Sequence, residues 1–497
     1  MKPSLAAVIA LTYPEGLYVE VCMRDLPNRV DFLSETAALS THGNTKNVVI
    51  TAMEVRGPFD VASGEKAARL TAKSFPQLMS TIREVSAWGL HYLEWVHRPE
   101  EPLRVYFAEL PLDQRTGNIL DDVIRVMQPR LDRDWDLFKE VAVEFHVIRI
   151  GSDHNILACV CHHVAGDAGT ASEFGREFLL HYHEIVTGQS PEWADHKLAL
   201  STGRKRPIRL GSKRWIETIK ESHHGFMRIF ERPDYPIGSG TKNDPNQYFA
   251  KRIFSESDSG KIFFTAMRQG VNFVDALTAC SNIAIDKWNQ DRGLEPGLLT
   301  TAMTVNTRGR MSQFETPNNS SVIFFRSTPE QRQNLSEFIR ILARMRMRHF
   351  REHKDITTLL NIRRLNRATR LFPYWMRKRL IHLFLQNHKL SIAVTFLGTV
   401  WPKLINGKPS AESSVTMSGD LHVAEVHGVG YKLHSDTKLL LIVYAFQNRL
   451  NLILEAAGSL FTRYETEQFL DLISDLLLAD ELLYKQNQAR RGKAMPL

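Results

Sequence analysis

The chain has 497 residues, 43% hydrophobic and 24% charged, a balance that suits a globular protein with a full-sized core, built as two or three domains or as two halves of one fold. Its 28 glycines and 21 prolines exclude a collagen-like or low-complexity chain, and no apolar run reaches the roughly 18 residues needed to span a bilayer. The net charge of +8 is local, because Arg340 to Lys389 holds 14 lysines and arginines against Glu352 and Asp355, a segment at +12 that leaves the remainder at −4. Met1 to Pro14 has one lysine and a short apolar stretch without a small-residue cleavage site, so no signal peptide is expected. Asn47 to Val55 is β-rich, and Gly64 to Ser74 follows with helical character. Val141 to Ile150 alternates apolar residues as a strand, Gly151 to His154 turns the chain, and Asn155 to Cys161 reads as the returning strand. Thr170 to Val186 has helical periodicity, with Phe174, Phe178 and Tyr182 spaced for one face.

Pro233 to Gln247, with three prolines and two glycines, reads as a crossover linker. It divides the chain into an N-terminal lobe at 1–232, a linker at 233–247 and a C-terminal lobe at 248–497. The second half predicts a strand at Tyr248 to Ile253, a helix at Phe273 to Trp288, and strands at Leu299 to Val305 and Ser321 to Phe325. A basic helical region leads to a strand at Ser391 to Thr395. A hairpin follows at Lys438 to Phe446 and Arg449 to Glu455, turning at Gln447-Asn448, and a last helix spans Thr466 to Tyr484. The sum is mixed α/β in both halves.

One stretch carries chemistry: His162-His163-Val164-Ala165-Gly166-Asp167-Ala168-Gly169. A strand delivers two histidines to the mouth of a cleft, a helix follows, and an aspartate four residues after the second histidine ties down the loop between them. One imidazole can then serve as general base. Cys159, Cys161 and His163 share a strand face, but Cys-x-Cys-x-His lacks a fourth ligand, so no metal is expected and the cysteines read as small buried hydrophobes. Cys22 and Cys280 bring the cysteines to four, too few to staple a fold this large, which points to a reducing, cytoplasmic compartment.

His162-His163-x-x-x-Asp167 resembles the HHxxxDG motif of the acyltransferase superfamily that includes nonribosomal peptide condensation domains, wax ester synthases and chloramphenicol acetyltransferase. The resemblance extends along the chain. Phe75-Pro76-Gln77-Leu78 resembles the segment after the family's first helix, and Val305-Asn306-Thr307-Arg308-Gly309-Arg310 resembles its VNTxxxR strand end. Thr316-Pro317-Asn318-Asn319-Ser320 sits where these proteins carry a Gly-Asn turn, and Thr395-Phe396-Leu397-Gly398 is similar to the SNxG crossover segment. Two departures stand out: Ala168 replaces the glycine after the aspartate, and Phe396 replaces the Asn of SNxG.

The resemblance implies an α/β fold of two chloramphenicol-acetyltransferase-like lobes forming a V with a tunnel between them. It implies an enzyme, a stand-alone condensation-like acyltransferase that forms an amide or ester from an acyl thioester. His163 would be the general base, with His162 beside it and Asp167 paired to Arg308, or second to Arg310, to hold the loop. Gly166, Ala168, Gly169, Asn306, Thr395, Phe396 and Gly398 would line the tunnel. No cofactor is bound on this reading; acyl-CoA or an acyl-phosphopantetheine thioester is a substrate, and an acyl carrier protein is a partner supplied by another chain. The runner-up is a wax ester or glyceride-type lipid O-acyltransferase at a membrane, and the third reading is a non-catalytic binding protein of the same fold.

The basic stretch 340–389 interleaves Leu371, Phe372, Tyr374, Trp375 and Met376 with Arg370, Arg377, Lys378 and Arg379. Apolar groups beside cations suit an acidic protein partner or a peripheral membrane contact. Arg204 to Trp215 is a second basic cluster. No recognition module for nucleic acid is present, so none is expected as a partner.

Overall fold

Val48–Arg56 is buried at every position but the last, a pattern that a strand covered on both faces produces. It is β1 of the computed structural model, which describes residues 29–41, 43, 45–194, 233–242, 244–306, 318, 320–386, 390–405, 408–413, 415–432 and 437–479. The first half continues with β2 (Ser80–Ala87), β3 (Leu90–His97), β4 (Arg104–Glu109), β5 (Val143–Gly151) and β6 (His154–His162). The second contributes β7 (Gln247–Ile253), β8 (Leu299–Asn306), β9 (Ser320–Ser327), β10 (Ile392–Thr399), β11 (Pro402–Ile405) and β12 (Lys408–Ser413). Then come β13 (Met417–Ser418), β14 (Leu421–Tyr431), β15 (Leu439–Phe446) and β16 (Arg449–Ala457).

Two six-stranded sheets result, ordered β13-β14-β1-β6-β5-β4 and β7-β16-β15-β10-β8-β9. Strand β10 runs parallel to both β8 and β15, and β4 runs parallel to β5; the other pairs are antiparallel. The helix Ala168–Thr187 lies over β1 and β6 and buries Phe174, Phe178 and Tyr182, the face its periodicity predicts. On the second sheet, the helices Phe273–Gln290, Leu335–Arg351 and Arg463–Leu478 close a separate core with Leu277, Phe338 and Phe469. The two expected sheet-bearing halves are therefore present. Between them, the described part of 233–246 carries neither helix nor strand. The chain also crosses back: β13 and β14 lie late in the sequence yet complete the first sheet, β14 pairing along the whole of β1.

The basic segment folds into the helices Leu335–Arg351, Lys354–Thr369 and Tyr374–Gln386. It is not uniformly a surface, which corrects part of the docking expectation. Arg377, with no exposed area, and Arg370 grip Glu35 of the helix Phe32–Ser40 at 2.8 and 2.6 Å. Burial pushes the Glu35 carboxyl up and Arg377 opposes that shift, so these two cations are needed inside the protein. Arg346 likewise holds Asp275 through two hydrogen bonds, at 2.7 and 2.9 Å. The basic cluster 204–215 lies outside the described residues.

Candidate active site

Strand β6 delivers His162 and His163 to its end, and the chain turns at once into the helix Ala168–Thr187. Backbone bonds hold the turn: the His162 N–H donates to Ala142 O at 2.9 Å and the His163 N–H to Asn47 O at 2.7 Å. Asp167 is the N-cap of the helix, accepting from the Thr170 N–H at 3.1 Å and from its hydroxyl at 3.4 Å. The aspartate thus ties down the loop by capping, a role that the residue type suits. Gly166 packs so close to Thr170 that a Cβ there would meet its side chain at 2.7 Å.

The two imidazoles differ completely. His162 is fully buried, and its Nδ1 accepts from the Val164 N–H at 3.0 Å. Its Nε2 must then carry the proton and donate to Thr41 Oγ1 at 3.0 Å, whose own hydroxyl donates to Ala37 O at 2.9 Å. Burial, with lesser contributions from His163, Lys378 and Arg133, pushes the His162 pKa down to about 3. A neutral ring with both nitrogens engaged supports the loop and has no lone pair to offer an acceptor. His163 is partly exposed, and its Nδ1 lies 2.9 Å from Asn318 Oδ1. Asn318 belongs to the second half and is itself buried. Its amide nitrogen donates to His163 O at 2.7 Å and to Ser34 Oγ at 3.0 Å. The site is therefore a seam where the helix Phe32–Ser40, the histidine loop and Asn318, two residues before β9, meet.

The other expected residues are placed by their elements. Ala168 and Gly169 open the helix after the loop, and Asn306 ends β8. Thr395, Phe396 and Gly398 lie on β10, where Phe396 packs edge-on against Phe273 with ring centroids 5.3 Å apart. That ring is shared with the second core, which accounts for an aromatic residue on this strand. Cys159 and Cys161 are buried in β6, and burial pushes the Cys161 thiol up to about 12, consistent with small core residues. Arg308 and Arg310 lie outside the described residues. The contacts that sequence reasoning missed are those of Asn318 with His163 and, 284 residues away, with Ser34. The Thr316–Ser320 segment is legible as a family-like turn, but nothing local announces that Asn318 partners His163, 155 residues away.

No protein-family model matches the chain. It is 23% identical over 237 residues to the nonribosomal peptide synthetase kk1B of Curvularia clavata, covering 46% of this chain and 2% of that protein. It is 26% identical over 197 residues to the probable non-canonical nonribosomal peptide synthetase CymA of Salinispora arenicola, covering 37% of this chain and 2% of that protein. The chain thus matches only a small fraction of the length of these relatives. Among solved structures, the trichothecene 15-O-acetyltransferase TRI3 of Fusarium sporotrichioides matches with a TM-score of 0.63 at 11% identity, over 91% of this chain and 95% of that one. The first condensation domain of the calcium-dependent antibiotic synthetase, in complex with a substrate analogue, matches with a TM-score of 0.61 at 12% identity, over 92% and 97%. The chain has the fold of these proteins over nearly its whole length.

Proposed function

We propose that this chain is a condensation-like acyltransferase that joins an acyl thioester to an amine or hydroxyl acceptor, with His163 as general base. The observation that carries this reading is the division of labour in the pair: His162 is sealed in the core as a neutral support, and His163 stands partly exposed at the seam between the halves. In the proposed step, His163 Nε2 takes the acceptor's N–H or O–H proton as the acceptor lone pair bonds to the thioester carbonyl carbon. The carbonyl π pair moves onto oxygen, then re-forms the double bond and expels the thiolate, which receives the proton back from His163. The donor would be acyl-CoA or an acyl-phosphopantetheine thioester on a carrier protein. The fold neighbours include a condensation domain and an O-acetyltransferase, which supports either an amide or an ester product. The test is thiol release from a panel of acyl thioesters with amine and alcohol acceptors. His163→Ala is expected to lower turnover by about 100-fold or more. Undiminished turnover in that variant would end the proposal.

A second reading, lipid O-acylation at a membrane surface, is supported by one surface feature. Trp88 at the tip of the β2–β3 hairpin is 76% exposed, and Leu371 and Trp375 are 67% and 56% exposed. The His91 N–H donates to Arg370 O at 2.7 Å and the Tyr374 N–H to Glu84 at 2.8 Å, which pins the hairpin beside these residues. The Arg379 guanidinium sits 5.6 Å from the Trp375 ring centre. Tryptophan and leucine beside arginine suit an anionic interface. Among the described residues no helix is long and apolar enough to cross a membrane, so such contact would be peripheral. Cosedimentation with anionic vesicles should fall in Trp375→Ala and Trp88→Ala; if the wild-type chain ignores vesicles at low salt, this reading is dropped.

A further inference from the structure

The amide of Asn318 can be oriented by chemistry alone. His163 O is a carbonyl and only accepts, so the Asn318 atom 2.7 Å from it must be the NH₂ group. The other amide atom, at 2.9 Å from His163 Nδ1, must therefore be the oxygen, which only accepts. The proton on a neutral His163 ring then sits on Nδ1 and is donated to Asn318. The lone pair is left on Nε2.

From this we infer that Asn318 is a positioning residue that sets the tautomer of His163, so that the second half of the chain makes the first half's histidine a base. The inference deepens the proposed function and rests on His163 being that base. Three features give it force. Asn318 and Ser34 are both buried, so water competes poorly for the amide. The same side chain bonds both the ring and the backbone carbonyl of His163, which fixes ring orientation as well as tautomer. Ser34 holds the amide from a third element, the helix Phe32–Ser40, which Arg370 and Arg377 in turn anchor through Glu35. Without Asn318 the ring would drift toward the Nε2–H form that neutral histidine favours, and the lone pair would point away from the acceptor.

The test is ¹⁵N NMR of the full chain labelled at histidine, recorded at alkaline pH, with the His163 resonances identified by their loss in His163→Ala. In wild type, Nδ1 should show the protonated signature and Nε2 the unprotonated one. Asn318→Ala should move the pattern toward Nε2–H, and thiol release should fall about 10- to 100-fold in kcat with a smaller change in KM. Asn318→Asp keeps an acceptor at Nδ1 and should keep the wild-type tautomer. An Nε2–H signature in wild type overturns the inference, whether or not Asn318→Ala folds, and so does an unchanged tautomer in a folded Asn318→Ala. Failure of the underlying reading is distinct: His163→Ala would then release thiol normally while the tautomer result stood as measured.

Discussion

Adjacent positions at the end of a strand face opposite ways, so one imidazole of His162-His163 enters the core and the other reaches the seam. The motif is legible in sequence, and so is its place between a strand and a helix. What sequence leaves open is which ring is buried, because that depends on Thr41, Ala142 and Asn47, all distant along the chain. The burial has a measurable consequence. His162 stays neutral in the folded protein down to about pH 3, whereas in the unfolded chain it protonates below about pH 6.5. The unfolded state therefore binds the extra proton, and stability falls as pH drops from about 6.5 toward 3. The slope from this one residue is about 1.4 kcal/mol per pH unit. His162→Gln lacks the titrating group, so the wild-type minus variant stability, measured by urea unfolding across that window, should decline with acid. A difference independent of pH would show that the ring is not held neutral.

At the level of elements, the histidine loop is held by its helix cap, and this separates two roles for Asp167. The motif implies an ionic pair with Arg308, which lies outside the described residues; among the described residues Asp167 serves as an N-cap. Asp167→Ala should cost about 0.5–2 kcal/mol through loss of the cap, whereas Asp167→Asn retains an acceptor for the Thr170 N–H and should recover most of that. Thermal melts of the two variants check it, and an equal, large loss in Asn and Ala would instead assign the effect to a missing charge. The same contrast between local and distant causes governs how much of each element could be read in advance. The β15–β16 hairpin is legible because Gln447 and Asn448 take the positive φ values, 48° and 60°, that a two-residue turn requires. The helix Phe273–Gln290 is legible from its periodicity and opens with a capping box at Asn272 and Asp275. The β2–β3 hairpin is not, since much of it is partly or fully exposed and it lacks a clean alternation. Nor is the fate of the basic helices, because Glu35 recruits Arg370 and Arg377 from more than 330 residues away.

For the whole molecule the decisive feature is β14. The linker at 233–247 is legible in sequence but the pairing of β14 with β1 is not, because Leu421–Tyr431 carries two glycines and Glu425 and its partner strand lies some 370 residues earlier. Without β14, β1 would lose one of its two neighbours and expose a paired edge of buried residues. Further bonds reinforce the link between halves. Asn118 donates to Phe249 O at 2.9 Å, the Phe249 N–H donates to Asp121 at 3.1 Å, and Tyr431 donates to Asp132 at 2.7 Å. Arg463 pairs with Asp121 at 3.1 Å, a carboxyl whose pKa burial raises to about 6. Two independent lobes joined by a linker would unfold in two steps, as multidomain chains commonly do. Here the first sheet cannot persist once the second half unravels, since 417–431 supplies two of its six strands. Urea unfolding followed by far-ultraviolet circular dichroism and by tryptophan fluorescence should therefore give one coincident transition. The fluorescence reports from both halves, Trp135 beside His162 and Trp288 in the second core. A plateau between two transitions, with one tryptophan environment lost before the other, would mean that the strand exchange does not couple the sheets.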